Sequence, residues 1–277
     1  MSTINEVAVV ILNYKSWRDT LNEIDMCHKE IGIDYENIIV VDNASPNESK
    51  EELEKNSQLG YRFIYSTENN GYASGNNIGL KYAFNQGYKY ALILNNDILF
   101  NDKEFLKKLL EVVDKDNKIA VVNPDIYSPS GYLFNRDSTR PNLFDYTIGM
   151  YLYKKRGRKI QDIDKYGYVY RPQGCCMLVD LNKLNQVDYM DDSTFLYYEE
   201  VILAERLLNK GFRCACCTDT SIIHNHSTTV KSSFELNEII KIKNKSFTYY
   251  LKEYRHYSNL KIKMCCAFNF LKEKCLN

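Results

Sequence analysis

Apolar residues in this chain gather into short unbroken runs that stop abruptly at amides and carboxylates. Val7-Ala8-Val9-Val10-Ile11-Leu12 runs into Asn13-Tyr14-Lys15. Ile38-Ile39-Val40-Val41 runs into Asp42-Asn43-Ala44-Ser45, and Tyr90-Ala91-Leu92-Ile93-Leu94 into Asn95-Asn96-Asp97. Continuous runs of this length suit strands covered on both faces, as in a parallel sheet. Between them, Thr20 to Lys29 has helical spacing with Leu21, Ile24 and His28 inward; Ser49 to Leu59 reads as a second helix and Tyr61 to Tyr65 as a further strand. The β-α-β-α-β order predicts a parallel sheet with right-handed crossovers. Ligands of open α/β sheets bind at the carboxyl ends of the strands. An Asx turn explains any one polar strand end; three on one edge make a polar cleft.

The rest of the chain adds to that sheet. Glu68 to Gly79 is rich in glycine and small residues, which let backbone approach a ligand closely, and Ile78 to Phe84 continues as a helix. It matches neither the dinucleotide-binding nor the Walker glycine pattern. Residues 99 to 118 are spaced as a helix with Phe105, Leu106, Leu109, Leu110 and Val113 on one face, and Ile119 to Asn123 follows as a strand. Residues 125 to 170 are irregular and hold Tyr127, Tyr132, Arg136, Arg140, Tyr146, Tyr151, Tyr153 and Tyr168. A long segment of weak pattern is often a binding loop, and its tyrosines and cations suit a sugar acceptor. Gly174 to Val179 and Phe212 to Cys217 read as strands, and Ala204 to Asn209 as a helix ending at Gly211. Glu199 and Glu200 follow the aromatic run Phe195-Leu196-Tyr197-Tyr198 at a helix start, where a carboxylate can serve as a general base or favour the helix dipole.

Composition narrows the function classes. The 277 residues carry 36 basic and 36 acidic side chains, so no global charge points to nucleic acid. The opening residues have no basic region before their apolar run, and no segment is long and apolar enough to span a bilayer. Nine cysteines, an odd number clustered on apolar segments, suit reduced thiols in a cytoplasmic setting. Cys214, Cys216, Cys217, His224 and His226 match no zinc finger or ribbon spacing, and a strand is the better reading of 212–217.

Taken together, these segments resemble the family 2 inverting glycosyltransferases of GT-A fold, closest to the branch of bacterial rhamnosyltransferases and capsular or O-antigen polysaccharide enzymes. The resemblance rests on Val9 to Tyr14, Val41 to Ser45, Asn69 to Gly79, Leu94 to Asp97, Gly174 to Leu178, Phe195 to Glu200 and His224, in that order. It implies an α/β fold with a mostly parallel, Rossmann-like central sheet flanked by helices. It implies a nucleotide-sugar half over 1–100 and an acceptor half over 101–230. Asn13, Tyr14 and Asp42 would then hold the nucleobase and ribose of a UDP- or dTDP-linked donor, with Asn69, Gly71, Asn76, Asn95 and Asn96 along the nucleotide. The family's Asp-x-Asp metal motif stands here as Asn95-Asn96-Asp97, leaving Asp97, with His224 as second ligand and His226 as its alternate, for Mn2+ or Mg2+. The family's Glu-Asp pair stands as Glu199-Glu200, which puts the base at Glu200; Ile202 replaces the next acidic residue. The acceptor is expected to be a glycan or a polyprenyl-linked sugar.

Residues 231–277 form an expected C-terminal helical extension. From Lys241 onward it holds nine basic residues against Glu253 and Glu273, interleaved with aromatic and aliphatic side chains. That mixture suits a helix lying on the inner face of a membrane, with a solvated helix or a nucleic-acid patch as competing readings. Two other functions compete: a sugar-1-phosphate nucleotidyltransferase, although Asn13 to Trp17 lacks the glycine-rich loop such an enzyme needs, and a non-catalytic glycan- or nucleotide-binding module of the same fold. Oligomeric state leaves no mark in the sequence.

Overall fold

The computed structural model describes residues 2–152, 160, 163–225 and 235–276. Strands β1 (Val7–Asn13), β2 (Ile38–Asn43), β3 (Arg62–Ser66) and β4 (Tyr90–Leu94) pair in parallel in the order β3-β2-β1-β4. Helices α1 (Trp17–Ile31), α2 (Ser49–Asn56) and α3 (Tyr72–Asn85) are their crossovers. β1, β2 and β4 are almost wholly buried, as unbroken branched runs require.

Five more strands widen the sheet: β5 (Ile98–Phe100), β6 (Ile119–Tyr127), β7 (Tyr166–Val169), β8 (Cys176–Asp180) and β9 (Arg213–His224). The order is β3-β2-β1-β4-β8-β6-β9-β5, with β7 on the Cys214–Cys217 stretch of β9. β8 is antiparallel to β4, so its beginning lies beside the end of β4. β5 is antiparallel to β9, with Ile98 opposite His224. These two reversals bring later parts of the chain to the polar edge of the first four strands.

Three boundaries differ from the sequence pattern. α3 starts at Tyr72, six residues before Ile78, so most of the glycine-rich stretch is helix. Ile98–Phe100 is a short strand, and the following helix, α4 (Phe105–Val113), occupies only the centre of 99–118. β9 runs on through the polar Thr218–Ser221 to His224, because a register shift against β6 absorbs those residues and β5 pairs the end.

The sheet is covered on both faces. One face packs Ile24, Cys27, Leu53, Phe105 and Leu109, from α1, α2 and α4. The other packs Ala73, Leu80, Leu184 and Leu203, from α3, α6 (Leu181–Gln186) and α7 (Glu199–Asn209). Among the described residues of 125–170 lie the end of β6, β7 and the short helix α5 (Gly149–Leu152). The C-terminal residues form helices α8 (Leu236–Glu253) and α9 (Asn259–Leu276). Phe247, Tyr250 and Leu251 of α8 and Ile262 and Cys265 of α9 share a third apolar cluster with Val201, Ile202 and Ala204 of α7. Part of the apolar set that suits a membrane surface, Tyr250, Leu251 and Ile262, is therefore internal. Leu260, Met264, Phe270 and Leu271 stay exposed, as do Ile148, Tyr151 and Leu152 around α5. Among the described residues no helix is long and apolar enough to cross a membrane.

Candidate active site

The floor of the site is the row of strand ends. Asn13 and Asp42 are ladder partners, and both are fully buried. Asn13 Nδ2 donates to Asp42 Oδ2 at 2.6 Å, and Ser45 donates to Asp42 through its N–H at 2.9 Å and its hydroxyl at 2.7 Å. The carboxylate thus spends its acceptors inside the turn, as a buried charge must. Side chains alternate along a strand, and it is Asn43, beside Asp42, that lines the cleft with Leu12 and Tyr14. Asn43 Nδ2 donates to Asn69 Oδ1 at 2.9 Å and to the Gly71 carbonyl at 3.2 Å. Gly71 has φ 97°, and a Cβ there would lie 2.0 Å from the Phe195 carbonyl oxygen. Only glycine lets the start of α3 approach the 195–200 segment this closely, where Tyr72 N–H donates to Phe195 O at 3.0 Å.

At the end of β4, Asn95 N–H donates to the Cys175 carbonyl at 2.9 Å. Asn96 Nδ2 reaches the Ser16 and Thr20 hydroxyls, both at 2.8 Å, and so ties this turn to α1. Asp97 precedes Ile98, whose ladder partner is His224. The two side chains consequently meet: His224 Nε2 lies 3.2 Å from Asp97 Oδ1, with the Asp97 side chain 8% exposed. One carboxylate and one imidazole suit Mn2+ or Mg2+, leaving positions for a ligand's own oxygens. Among the described residues no group of three or more His, Cys, Asp or Glu forms a closed cage. Behind Asp97, buried Glu23 accepts from Ile98 N–H at 3.1 Å, and burial raises its carboxyl well above the ordinary range.

Glu199 and Glu200 open α7, after two consecutive residues with positive φ, Tyr197 (71°) and Tyr198 (72°). Non-glycine residues hold that conformation only where the surroundings enforce it. Tyr198 stacks on Phe247 and Tyr250 of α8, at centroid distances of 5.1 and 5.8 Å, and Ser246 Oγ donates to the Leu196 carbonyl at 2.8 Å. Gly174 N–H donates to Glu200 Oε1 at 3.2 Å, and Tyr72 Oη donates to the Gly174 carbonyl at 2.7 Å. Glu199 is 3% exposed, and its Oε1 has no hydrogen-bond partner among the described residues. Burial, with the Glu200 charge beside it, pushes its carboxyl up to about 8.

These groups surround a cleft of about 630 Å³. Tyr14, Asn69, Gly71, Asn95, Asn96, Glu199, Glu200 and His224 line it. Asp97 adjoins it through His224, whereas Asn13, Asp42 and Asn76 lie beneath the lining. Asn76 is covered because α3 has already begun: its Nδ2 donates to the Tyr72 carbonyl one turn back. The pattern alone misses Asn43, Tyr72, Arg171, Gln173, Lys243 and Asn269, all of which line the cleft. Strand alternation could have found Asn43; nothing local marks Lys243, which arrives on a helix from the far end of the chain. Cys214, Cys216 and Cys217 are buried along β9, while His226 and Tyr153 lie outside the described residues.

Residues 8–182 match the family Glycosyl transferase family 2, more than half of the chain. The chain belongs to glycosyl transferase family 2. The match ends before Glu199 and Glu200. Over 238 residues the chain is 26% identical to the low-salt glycan biosynthesis hexosyltransferase Agl10 of Haloferax volcanii, covering 84% of this chain and 72% of that one. Among solved structures it resembles GalNAc-T7 with UDP, GalNAc and Mn2+ (TM-score 0.64, 13% identity), over 90% of this chain but only 48% of that one. It also resembles the mannosyltransferase PcManGT of Pyrobaculum calidifontis with GDP-Man and Mn2+ (TM-score 0.61, 12% identity, 95% and 69% of the two chains). A third likeness is to residues 1–349 of S. aureus TarS with UDP (TM-score 0.56, 14% identity, 94% and 69%). At such identities the structures speak for the fold, and they agree with a GT-A-type α/β architecture for this family member.

Proposed function

We propose that this family 2 member is an inverting transferase that moves a hexosyl or rhamnosyl group from a UDP- or dTDP-sugar to a glycan or lipid-linked acceptor in cell-surface polysaccharide synthesis. The observation that carries the reading is the convergence, in one cleft, of a strand-end Asp97–His224 pair and a glutamate held at a helix start. Tyr14 offers a ring face to the nucleobase, and Asn43 and Asn69 offer amides to base and ribose; Asp42 supports this by fixing the turn that presents Asn43. Glu200 takes the proton of the acceptor hydroxyl as its oxygen bonds to the anomeric carbon. The bond from that carbon to the donor diphosphate breaks on the opposite side, its electron pair leaving with the diphosphate. A divalent ion held by Asp97 and His224 would supply positive charge for that leaving group. Glu199, protonated in the neutral range, adds no second charge beside Glu200.

The test is a thermal-shift panel of UDP, dTDP and GDP with and without manganese, since a ligand of the native state raises its melting temperature. UDP or dTDP should stabilise, manganese should add to the shift, and Asp97→Ala should lose the manganese increment alone. No response to any nucleotide would sink the reading. A peripheral membrane contact is supported by the exposed Leu260, Met264, Phe270 and Leu271 beside exposed Lys261 and Lys263 on α9. Anionic vesicles should bind the protein less as salt rises, and Leu260→Glu with Phe270→Glu should abolish binding; unchanged binding by that variant would remove α9 from the contact.

A further inference from the structure

The C-terminal hairpin puts a charge into the cleft that the polar strand ends do not account for. Lys243 of α8 and Arg171, in the segment leading into β8, both line the cleft. Arg171 is exceptional among the described arginines. Arg136, Arg140 and Arg255 approach carboxylates, Arg206 donates to the Val187 and Asp188 carbonyls, and Arg18, Arg62 and Arg213 lie over aromatic rings. Among the described residues Arg171 has no such partner, although it is half-buried. Lys243 is also half-buried, and its Nζ sits 4.9 Å over the Tyr197 ring, a contact that holds an ammonium in place without neutralising it.

Both cations line the same cleft as Glu200. Arg171 lies three residues before Gly174, whose N–H donates to Glu200 Oε1. Tyr197, under Lys243, lies three residues before Glu200 in the chain. The carboxyl groups that share the cleft are Glu199, which keeps its proton, and Glu200, already bound by Gly174, with Asp97 held at His224. Two cations without counter-ions among the described residues, in one cleft, create a site for an anion. A guanidinium matches two phosphate oxygens at once, and an ammonium adds a point charge.

We propose that Arg171 and Lys243 form an acceptor-side subsite for a phosphate-type anion, the diphosphate that links a sugar acceptor to its lipid. The proposal rests on the glycosyl-transfer reading and names the acceptor class of that same cleft. The donor diphosphate belongs at Asp97 and His224, at the strand ends; the acceptor hydroxyl belongs at Glu200. The anion that Arg171 and Lys243 bind therefore travels with the acceptor, and the Tyr197 ring below Lys243 offers a face to its first sugar.

The experiment is a calorimetric titration of the full chain, saturated with UDP and manganese, with farnesyl diphosphate. Farnesol and glucuronic acid are the parallel arms, reporting a bare lipid and a sugar acid. Farnesyl diphosphate should bind, the two other probes should not, and Arg171→Gln with Lys243→Gln should weaken it at least tenfold while UDP affinity and melting temperature stay as in the wild type. Unchanged binding in that variant would overturn the subsite, as would no binding of farnesyl diphosphate by the wild type. An equal loss of UDP affinity would assign the cations to the donor, and binding of glucuronic acid alone would assign them to an acidic sugar. If UDP itself fails to bind, the glycosyl-transfer reading falls first; the same titration on the free protein then still reads the two cations.

Discussion

The two walls of the cleft are built by different means. The first wall is a row of parallel strand ends, in which Tyr14, Asn43, Asn69 and Asn95 are delivered by short crossovers within the first hundred residues. The second is assembled from pieces distant in the chain: the lead-in to β8, the double positive-φ turn before α7, the end of β9, and a helix from the C-terminus. The first is made rigid by the sheet itself. The second depends on docking, since Tyr198 stacks on Phe247 and Tyr250 and Tyr197 lies under Lys243, all three from α8. Binding groups on a rigid frame and reacting groups on a docked one fail in different ways when changed.

The comparison is tested most severely at Glu200. Glu200→Gln keeps the shape and the Gly174 contact but takes no proton at neutral pH. Transfer should fall about a hundred- to ten-thousand-fold, with melting temperature and nucleotide shift unchanged. If Glu200→Gln turns over normally while Glu199→Gln is dead, the docked wall presents the other carboxylate.

A second change separates docking from chemistry. Phe247 is 2% exposed and stacks on Tyr198. Phe247→Ala should destabilise by about 3–5 kcal/mol, the usual cost of emptying a core site of that size. If the second wall is positioned by α8, kcat should also fall in the fraction that remains folded, with the nucleotide affinity of the first wall intact. A stability loss with kcat untouched would make the C-terminal hairpin a mere cover.

The same contrast explains what the sequence made legible. β1, β2 and β4 declare themselves through unbroken Val, Ile and Leu runs, and their polar ends declare the cleft, because strand direction alone decides where those ends point. The Asp97–His224 meeting follows from the antiparallel β5–β9 ladder, but β5 is three residues long and reads as part of a helix. The pattern points to Asp42, and only strand alternation and the Ser45 turn put its neighbour Asn43 in the cleft instead. Lys243 belongs to a basic and aromatic segment that suits a membrane surface as well as it suits a docked helix, and only tertiary packing divides Phe247 and Tyr250, inside, from Leu260 and Phe270, outside.

A smaller effect belongs to the first wall. Asn43→Ala removes the amide that bonds Asn69 and Gly71. Each neutral intramolecular hydrogen bond contributes about 0.5–1.5 kcal/mol to stability, so the variant should melt lower, and with Asn69 no longer held UDP should bind more weakly while kcat at saturating donor is kept. A fall in kcat with unchanged affinity would move Asn43 to the reacting side.

The last prediction concerns the pH dependence of the second wall. The Glu199 carboxyl is pushed up to about 8 in the folded chain by burial and by Glu200, against an ordinary value of 4.5. The unfolded chain therefore releases this proton near pH 4.5 and the folded chain only near pH 8. Between those limits the folded state binds more protons, so stability falls as pH rises; the loss is complete above about 8 and absent below about 4.5. The slope from this one group is at most about 1.4 kcal/mol per pH unit. Glu199→Gln resembles the protonated carboxyl and should flatten that part of the curve, gaining stability relative to the wild type from pH 5 to pH 8. Chemical denaturation of both proteins across that range measures it. Parallel curves would show that Glu199 is ionised in the folded protein, and the two carboxylates opening α7 would then share their charge instead of dividing the roles of acid and base.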